Sequence, residues 1–144
     1  MLWVEDILES AVMWFLARVL ATFFFWWAGL GFILDQDTAR ATMDALGFQP
    51  AWLFAILVPA VQIIGSLIVI SDRFVWFGAG MLGVFTIGTI FMVHDFWNMS
   101  GPARQQNYLS AQEHITVIGG LIVVAIASHI RHLWIEQRRR HGFL

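Results

Sequence analysis

The residues best suited to chemistry occur in two short stretches, residues 94–97 and the pair Glu113 and His114. Imidazole and carboxylate groups exchange protons near neutral pH and coordinate metal ions. The rings of Phe96 and Trp97 suit a flat apolar ligand such as a quinone head. The candidate contacts for a quinone or a pigment are therefore His94, Asp95, Trp97 and His114. Anchoring at a membrane surface is the simpler alternative; no ligand spacing indicates a metal, and no residue is assigned a catalytic role.

Three polar residues interrupt long apolar stretches of the chain: Arg18, Gln62 and Ser128. Polar groups in hydrocarbon are costly, so each needs a partner. If the stretches are helices, helical rise places all three at a similar depth, roughly 10 Å from one end. We expect a structural polar cluster in which the Gln62 carbonyl partly meets the charge of Arg18. In the alternative, Arg18 extends to the lipid headgroups and Gln62 makes one interhelical hydrogen bond.

A second histidine pair, His129 and His132, has a spacing of three residues, which places both imidazoles near one face of a helix. Such a pair can in principle hold a metal or supply an axial cofactor ligand. The simpler interpretation is that imidazoles near a helix C-terminus offset the helix dipole.

The elements that must position these residues are membrane-spanning helices. Of the 144 residues, 59% are hydrophobic and 12% are charged, and the charged fraction is about half that of a soluble domain. Four apolar segments have roughly the 20 residues that cross a hydrocarbon core; they lie at about 11–34, 51–70, 74–93 and 114–134. The sequence therefore predicts an all-α, integral membrane four-helix bundle, a single domain over 1–144 surrounded by lipid bilayer, with a basic tail at 135–144.

The connections between these segments predict antiparallel, up-down-up-down packing. Residues 71–73 form a tight turn, so the second and third helices must be neighbours. The polar loop at 35–50 contains a helical turn at about 38–46, and Pro50 suits the start of the second helix. Residues 94–112 form the longest connection, where we expect Gly101 and Pro102 to break any helix.

Proline and glycine positions predict details of the packing. Pro59 removes a backbone donor and is expected to kink the second helix. Six glycines of the last two segments are expected to permit close helix packing: Gly78, Gly80, Gly83, Gly88, Gly119 and Gly120.

Arginine sets the expected orientation, because the chain contains no lysine. With four spans, both termini and the 71–73 turn share one side, which holds five arginines: Arg73, Arg131, Arg138, Arg139 and Arg140. The opposite side holds only Arg40 and Arg104. The positive-inside rule then predicts a multi-pass protein of the inner, cytoplasmic membrane with both termini in the cytoplasm.

Composition excludes several classes of function. No basic face exists outside the tail, so a nucleic acid partner is excluded. The chain has no cysteine, which excludes disulfides, thiolate metal sites and cysteine nucleophiles. The first ten residues carry three acidic and no basic side chains, unlike a cleavable signal, so we expect the first apolar segment to be retained.

The order of several short motifs resembles the DoxX-like family of membrane proteins, from about residue 18 to residue 127. Arg18 is followed by an apolar run to Gly29 and Gly31, as in the first helix of that family. Further similar stretches are Asp35, 45–50, 62–65, Arg73, 94–97 and 118–121. The sequence departs from the family pattern at Phe32, where a lysine is common, and at Gln62, where glutamate is common. It departs also at Glu113 and His114, in place of a lysine-asparagine pair.

The resemblance implies a four-helix membrane subunit associated with oxidoreductase complexes, some of them quinone-coupled. From the sequence we favour a non-catalytic subunit that anchors or stabilises a larger respiratory or photosynthetic electron-transfer complex, with other membrane subunits as partners. The alternative is a quinone-linked redox subunit of DoxX type, with its ligand site at the outer mouth formed by the 94–97 and 113–114 stretches. A transporter is disfavoured because no pair of broken helices or charged pathway is evident.

Overall fold

The computed structural model describes residues 2–140. Within this range the regular structure is entirely helical, as the sequence predicts. The α-helices are α1 (Leu2–Glu9), α2 (Ala11–Ala21), α3 (Phe23–Leu34), α4 (Gln36–Ala45), α5 (Ala51–Ile70), α6 (Val75–Met92) and α7 (Gly101–Arg140), with a 3-10 turn at Phe96–Asn98. The predicted basic tail is helical to Arg140, and residues 141–144 lie outside the described range.

Among the described helices, α5, α6 and α7 are each long and apolar enough to cross a membrane. The segment predicted as one helix at 11–34 is instead two helices, α2 and α3, whose axes differ by 56°. The described part of the chain therefore has three candidate spans, or four if α2 and α3 together make one. Hydropathy alone shows one continuous apolar run here, so the break is a correction to the sequence prediction.

The break between α2 and α3 is centred on Thr22, which is fully buried. Its Oγ1 donates to the carbonyl oxygen of Arg18 at 2.8 Å, a bond from threonine to the preceding turn that bends helices. The Trp26 indole N–H then donates to the Val19 carbonyl oxygen at 3.2 Å. Two side chains thus donate to carbonyl oxygens in the last turn of α2, and these hydrogen bonds stabilise the bend.

The long helix α7 begins 13 residues earlier than expected and extends over 40 residues, about 60 Å at 1.5 Å per residue. Gly101 and Pro102 start this helix rather than break it. Gly101 adopts a left-handed backbone with φ +62°, and a proline in the first turn is tolerated because its missing N–H would have no intrahelical partner there. The expected long connection shrinks to residues 93–100.

The α5–α6 pair forms the centre of the packing. Helix α5 contacts α3, α4 and α6, and α6 also packs along α7. The main core consists of Phe25, Val69, Val75, Ala79, Leu82, Leu121 and Val124. Pro59 is buried inside α5, which is one uninterrupted α-helix over the predicted residues 51–70.

Helix α4, which the sequence indicates as a helical turn, covers the start of α5. Asp35 caps it by accepting from the Thr38 backbone N–H at 3.0 Å and from Thr38 Oγ1 at 2.7 Å. Both bonds lower the pKa of this exposed carboxyl below its usual range, the backbone bond more than the hydroxyl bond. Ala39 and Met43 of α4 pack against Ala55 of α5 in a second small core. This arrangement keeps α4 against the bundle.

Close approach of α5 and α6 depends on glycine at one of the six expected positions. A Cβ on Gly78 would lie 2.9 Å from the Gly65 carbonyl oxygen and 2.8 Å from Ile68 Cγ2. Gly65 of α5 is equally tight, with Leu82 atoms at 2.7 Å. The other five expected glycines face open space, with nothing within 4 Å: Gly80, Gly83, Gly88, Gly119 and Gly120. For those five, the predicted role in close packing within the described chain is wrong.

Replacing Gly78 with alanine is expected to lower the free energy of unfolding by about 1–3 kcal/mol, because a backbone oxygen cannot move away from the added methyl group. Thermal unfolding in detergent micelles measures the effect. The matched control is Gly80→Ala on the same helix, which gains helix propensity without a clash and should leave stability unchanged or slightly higher. Equal melting temperatures for the two variants would contradict the packing argument.

Candidate functional site

A large apolar cavity lies between α3, α4, α5, α6 and the early part of α7. Its volume is about 490 Å³, within the range of small-molecule sites. Five phenylalanines line it: Phe24, Phe32, Phe48, Phe54 and Phe85. The bend at Thr22 and the cap at Asp35 place α3 and α4 on two sides of this space. The cavity suits a flat or branched hydrocarbon ligand.

Five polar side chains interrupt the apolar lining: Thr42, Gln62, Thr89, His94 and His114. Gln62 is only 5% exposed, and its Oε1 is buried with no hydrogen-bond partner in the described chain. Buried polar atoms are nearly always satisfied, so an orphaned acceptor at a cavity wall indicates a place where a ligand or water bonds. Sequence reasoning assigned Gln62 to a different cluster and missed this role.

The two histidines predicted to meet do so at the cavity wall. Their ring centroids are 4.7 Å apart with the planes at 67°. His94 Nδ1 lies 2.9 Å from Asn107 Oδ1, and His114 Nδ1 lies 2.7 Å from the Ser110 carbonyl oxygen. Asn107 and Ser110 belong to the part of α7 that was predicted to be a loop. The early start of α7 therefore positions both imidazoles.

The other two candidate contacts lie outside the cavity lining. Asp95 accepts from Asn98 Nδ2 at 3.2 Å. Trp97 is 48% exposed and packs against Phe91 at a tilt and against Phe96 edge-on, at 5.7 and 5.1 Å between ring centroids. The structure thus brings together His94 and His114 but separates Asp95 and Trp97 from them. The aromatic ring beside the histidines is Phe24 instead, 5.8 Å from His114.

The expected polar cluster divides between the two ends of the molecule. Arg18 is at the end where α5 turns into α6, and it donates to the Ile70 carbonyl oxygen at 2.6 Å and to the Val69 carbonyl oxygen at 3.4 Å. Gln62 makes no bond to it, which corrects the predicted pairing. Ser128 does reach this end, where its Oγ donates to Asp72 Oδ1 at 3.2 Å.

Asp72, in the turn between α5 and α6, is the partner that sequence reasoning missed. One carboxylate oxygen lies 3.6 Å from Arg18, and the other accepts from the Trp14 indole at 2.9 Å and lies 3.6 Å from His132 Nε2. The backbone of Asp72 is left-handed, with φ +61°, an unusual conformation that aspartate tolerates better than most residues. The available signal was Arg18 itself, because a buried guanidinium requires an anion.

His129 and His132, the second predicted pair, line a groove beside Asp72 and Ser128. His132 Nε2 lies 3.6 Å from an Asp72 carboxylate oxygen. Across residues 2–140, no three histidine, aspartate or glutamate side chains converge in a way that could hold a metal ion.

Comparison with known proteins gives a family and one curated relative. The profile of the DoxX family matches residues 13–95, more than half of the chain. Inner membrane protein YphA of Escherichia coli strain K12 is 23% identical over 115 residues, covering 80% of this chain and 82% of YphA. No solved structure matches the chain. Three of the residues noted above as departures from the family pattern line the cavity: Phe32, Gln62 and His114.

Removing the charge of Asp72 with Asp72→Asn is expected to lower the free energy of unfolding by about 1.5–3 kcal/mol, because buried Arg18 loses the carboxylate charge 3.6 Å away and the Trp14 and Ser128 hydrogen bonds lose a charged acceptor. Asparagine keeps the shape and tolerates the left-handed backbone, so the change tests the charge alone. Thermal unfolding in detergent measures it.

Asp37→Asn, on the exposed face of α4, is the matched control and should change stability by less than about 0.5 kcal/mol. Adding Arg18→Met to Asp72→Asn should recover part of the loss, since no unpaired charge then remains. An Asp72→Asn variant as stable as the unmodified chain would refute the role of this carboxylate.

Proposed function

This chain belongs to the DoxX family of membrane proteins, and from that premise we propose that it binds a quinone-type head group in the cavity between α3 and α7, as a quinone-linked subunit of a membrane oxidoreductase complex. The observation that carries the proposal is the buried Gln62 amide at the wall of an apolar space of about 490 Å³: its Oε1 has no partner in the described chain, and its Nε2 carries the N–H groups that can donate to a quinone oxygen. A quinone combines a flat apolar ring and an isoprenoid chain with a few polar oxygens. The cavity lining likewise combines apolar phenylalanine rings with a few polar side chains.

The polar groups of the cavity support specific contacts. His94 and His114 stand together on α6–α7, and Gln62 stands on α5. When bound, a quinone supplies two-electron redox chemistry. The Gln62 amide would donate to one of its oxygens, His94 and His114 would line the site beside the ring, and the phenylalanine walls would exclude water from it. Gln62, His94 and His114 are the site residues, and Asp95 and Trp97 are replaced by Phe24.

The membrane arrangement belongs to the same proposal. We place α2 with α3, α5, α6 and α7 as four antiparallel spans of one domain in the inner membrane, with both termini in the cytoplasm. Arg73 and Arg131 lie at the Asp72 end, and the last turn of α7 beyond it adds Arg138, Arg139 and Arg140, whereas only Arg40 and Arg104 belong to the opposite end. The larger arginine count at the Asp72 end supports this orientation. A fluorescent protein fused to the C-terminus reports the side on which it lies.

A second candidate function is structural, the non-catalytic anchoring of a larger electron-transfer complex. The observation that favours it is an exposed aromatic group on α3. Phe23 and Trp27 are 45% and 64% exposed and stacked at 5.7 Å, with Trp26 edge-on to both. Rigid aromatic side chains of this kind are enriched in helix and subunit interfaces. This role is compatible with a quinone site in the same chain.

Replacing Gln62 with leucine is expected to weaken quinone binding by about tenfold or more, because the ligand oxygen loses the N–H donor of the Gln62 amide. The same change should raise the free energy of unfolding by about 1 kcal/mol, since an unsatisfied buried amide is removed. Isothermal titration with decylubiquinone, on protein in lipid nanodiscs, measures the first effect, and thermal unfolding measures the second.

Gln105→Leu on the exposed face of α7 is the matched control and should alter neither quantity. Undetectable binding of decylubiquinone and its reduced form to the unmodified chain would overturn the proposed function. A Gln62→Leu variant that binds with unchanged affinity would remove Gln62 from the site.

Native mass analysis of the chain extracted in mild detergent is expected to show stoichiometric partner subunits that carry redox cofactors. Replacing Phe23 and Trp27 together with leucine should reduce the recovery of those partners, because the stacked aromatic surface is lost. Trp52→Leu, which changes a similarly exposed tryptophan on α5, is the control. A monodisperse particle without partner proteins would exclude the anchoring role.

A further inference from the structure

The hydrogen bonds behind the cavity wall determine which protons its histidines carry. A backbone carbonyl oxygen can only accept, so the 2.7 Å contact between His114 Nδ1 and the Ser110 carbonyl requires the proton to be on Nδ1. In an uncharged imidazole with its proton there, Nε2 is an acceptor. No hydrogen bond from the described residues occupies that Nε2. His114 therefore offers the cavity an acceptor and no donor.

His94 reaches the same state through Asn107. The Asn107 side-chain amide donates from Nδ2 to the Ala103 carbonyl oxygen at 3.0 Å. That bond orients the amide, so the atom 2.9 Å from His94 Nδ1 is the acceptor Oδ1. His94 Nδ1 is then the donor, and its Nε2 is a second free acceptor within the described chain. The rings are 4.7 Å apart, so the two acceptors belong to one patch of the wall.

The threonine hydroxyl groups that line the cavity already donate their protons to backbone carbonyl oxygens. Thr42 Oγ1 donates to the Thr38 carbonyl oxygen at 2.8 Å, and Thr89 Oγ1 donates to the Thr86 carbonyl oxygen at 2.8 Å. Each hydroxyl has a single proton, so what remains on the oxygen is acceptor capacity. Of the polar side chains on this wall, only the Gln62 amide offers a donor, alongside its orphaned acceptor.

A ligand that enters this cavity must therefore bring donors. A quinone carbonyl has none, so it can accept from the Gln62 amide but leaves the histidine acceptors without a partner. A hydroxyl group can donate to a histidine Nε2 or to Gln62 Oε1, and it can accept from the Gln62 amide. A ligand with hydroxyl groups can therefore bond both the acceptors and the donor of the cavity wall.

We propose that the cavity binds the reduced, dihydroxy quinol form more tightly than the quinone, and that His94 and His114 determine this preference by accepting hydrogen bonds from a quinol hydroxyl. This inference rests on the proposed quinone-type ligand and specifies its redox form. A histidine acceptor left unmatched by the quinone costs about one hydrogen bond, so the expected preference is about tenfold.

The experiment compares decylubiquinol and decylubiquinone, titrated separately and without oxygen into the full chain in lipid nanodiscs. A pH of about 8 keeps imidazoles uncharged. The expected result is that quinol binds about tenfold more tightly, and that His114→Leu or His94→Leu reduces the preference to about twofold or less. His129→Leu, on α7 near the opposite end, is the matched control and should keep it.

The outcomes separate the two proposals. If neither form binds, the proposed function fails. If both bind equally, or the quinone binds more tightly, the function stands and the quinol preference is overturned. A preference that survives in both cavity variants also overturns the role of the histidines. Imidazole nitrogen chemical shifts of the unmodified chain give a test that needs no variant: a proton on Nε2 of His114 would refute the argument.

Discussion

The Asp72 carboxylate is the interaction on which the arrangement of the helices depends. Through Trp14 and Arg18 it holds α2, through Ser128 and His132 it holds α7, and it stands in the turn that joins α5 to α6. Arg18 is almost fully buried, so its charge would be prohibitive without this anion and the two carbonyl oxygens at the end of α5. One left-handed aspartate thereby ties α2, α5, α6 and α7 together at one end.

The opposite end of the bundle follows a different rule. There the helices separate around a cavity, and polar groups are left partly or wholly without partners. Gln62 is the clearest case, because an amide at 5% exposure with an orphaned oxygen lowers stability without any gain in packing. Proteins retain such groups where a ligand satisfies them. The hydrogen bonds and charges around Asp72 hold the helices together at one end. This stability permits the other end to keep polar groups without partners.

Sequence alone predicted the helical class, the family and the bounds of α5, because long apolar runs flanked by Pro50 and by the 71–73 turn leave few alternatives. It also predicted that His94 and His114 would meet, as a hairpin requires. It could not predict the break at Thr22, because a threonine bonded to the preceding turn has the same hydropathy as one in a straight helix. Glycine followed by proline can end a helix or begin one, and the prediction that the pair breaks a helix at residues 101–102 was wrong. The sides on which Gln62, Asp95 and Trp97 face depend on helix rotation, which a single sequence does not specify.

The bend at Thr22 has a consequence for the thickness of bilayer that the protein fits. As one straight helix, residues 11–34 would extend about 36 Å along the membrane normal, more than a hydrocarbon core of about 30 Å. If α2 and α3 make one span, a bend of 56° shortens the end-to-end distance to about 32 Å, which removes most of the hydrophobic mismatch without tilting the neighbouring helices. Since α3 also forms one wall of the cavity, the bend that shortens this segment also helps to set the width of the cavity.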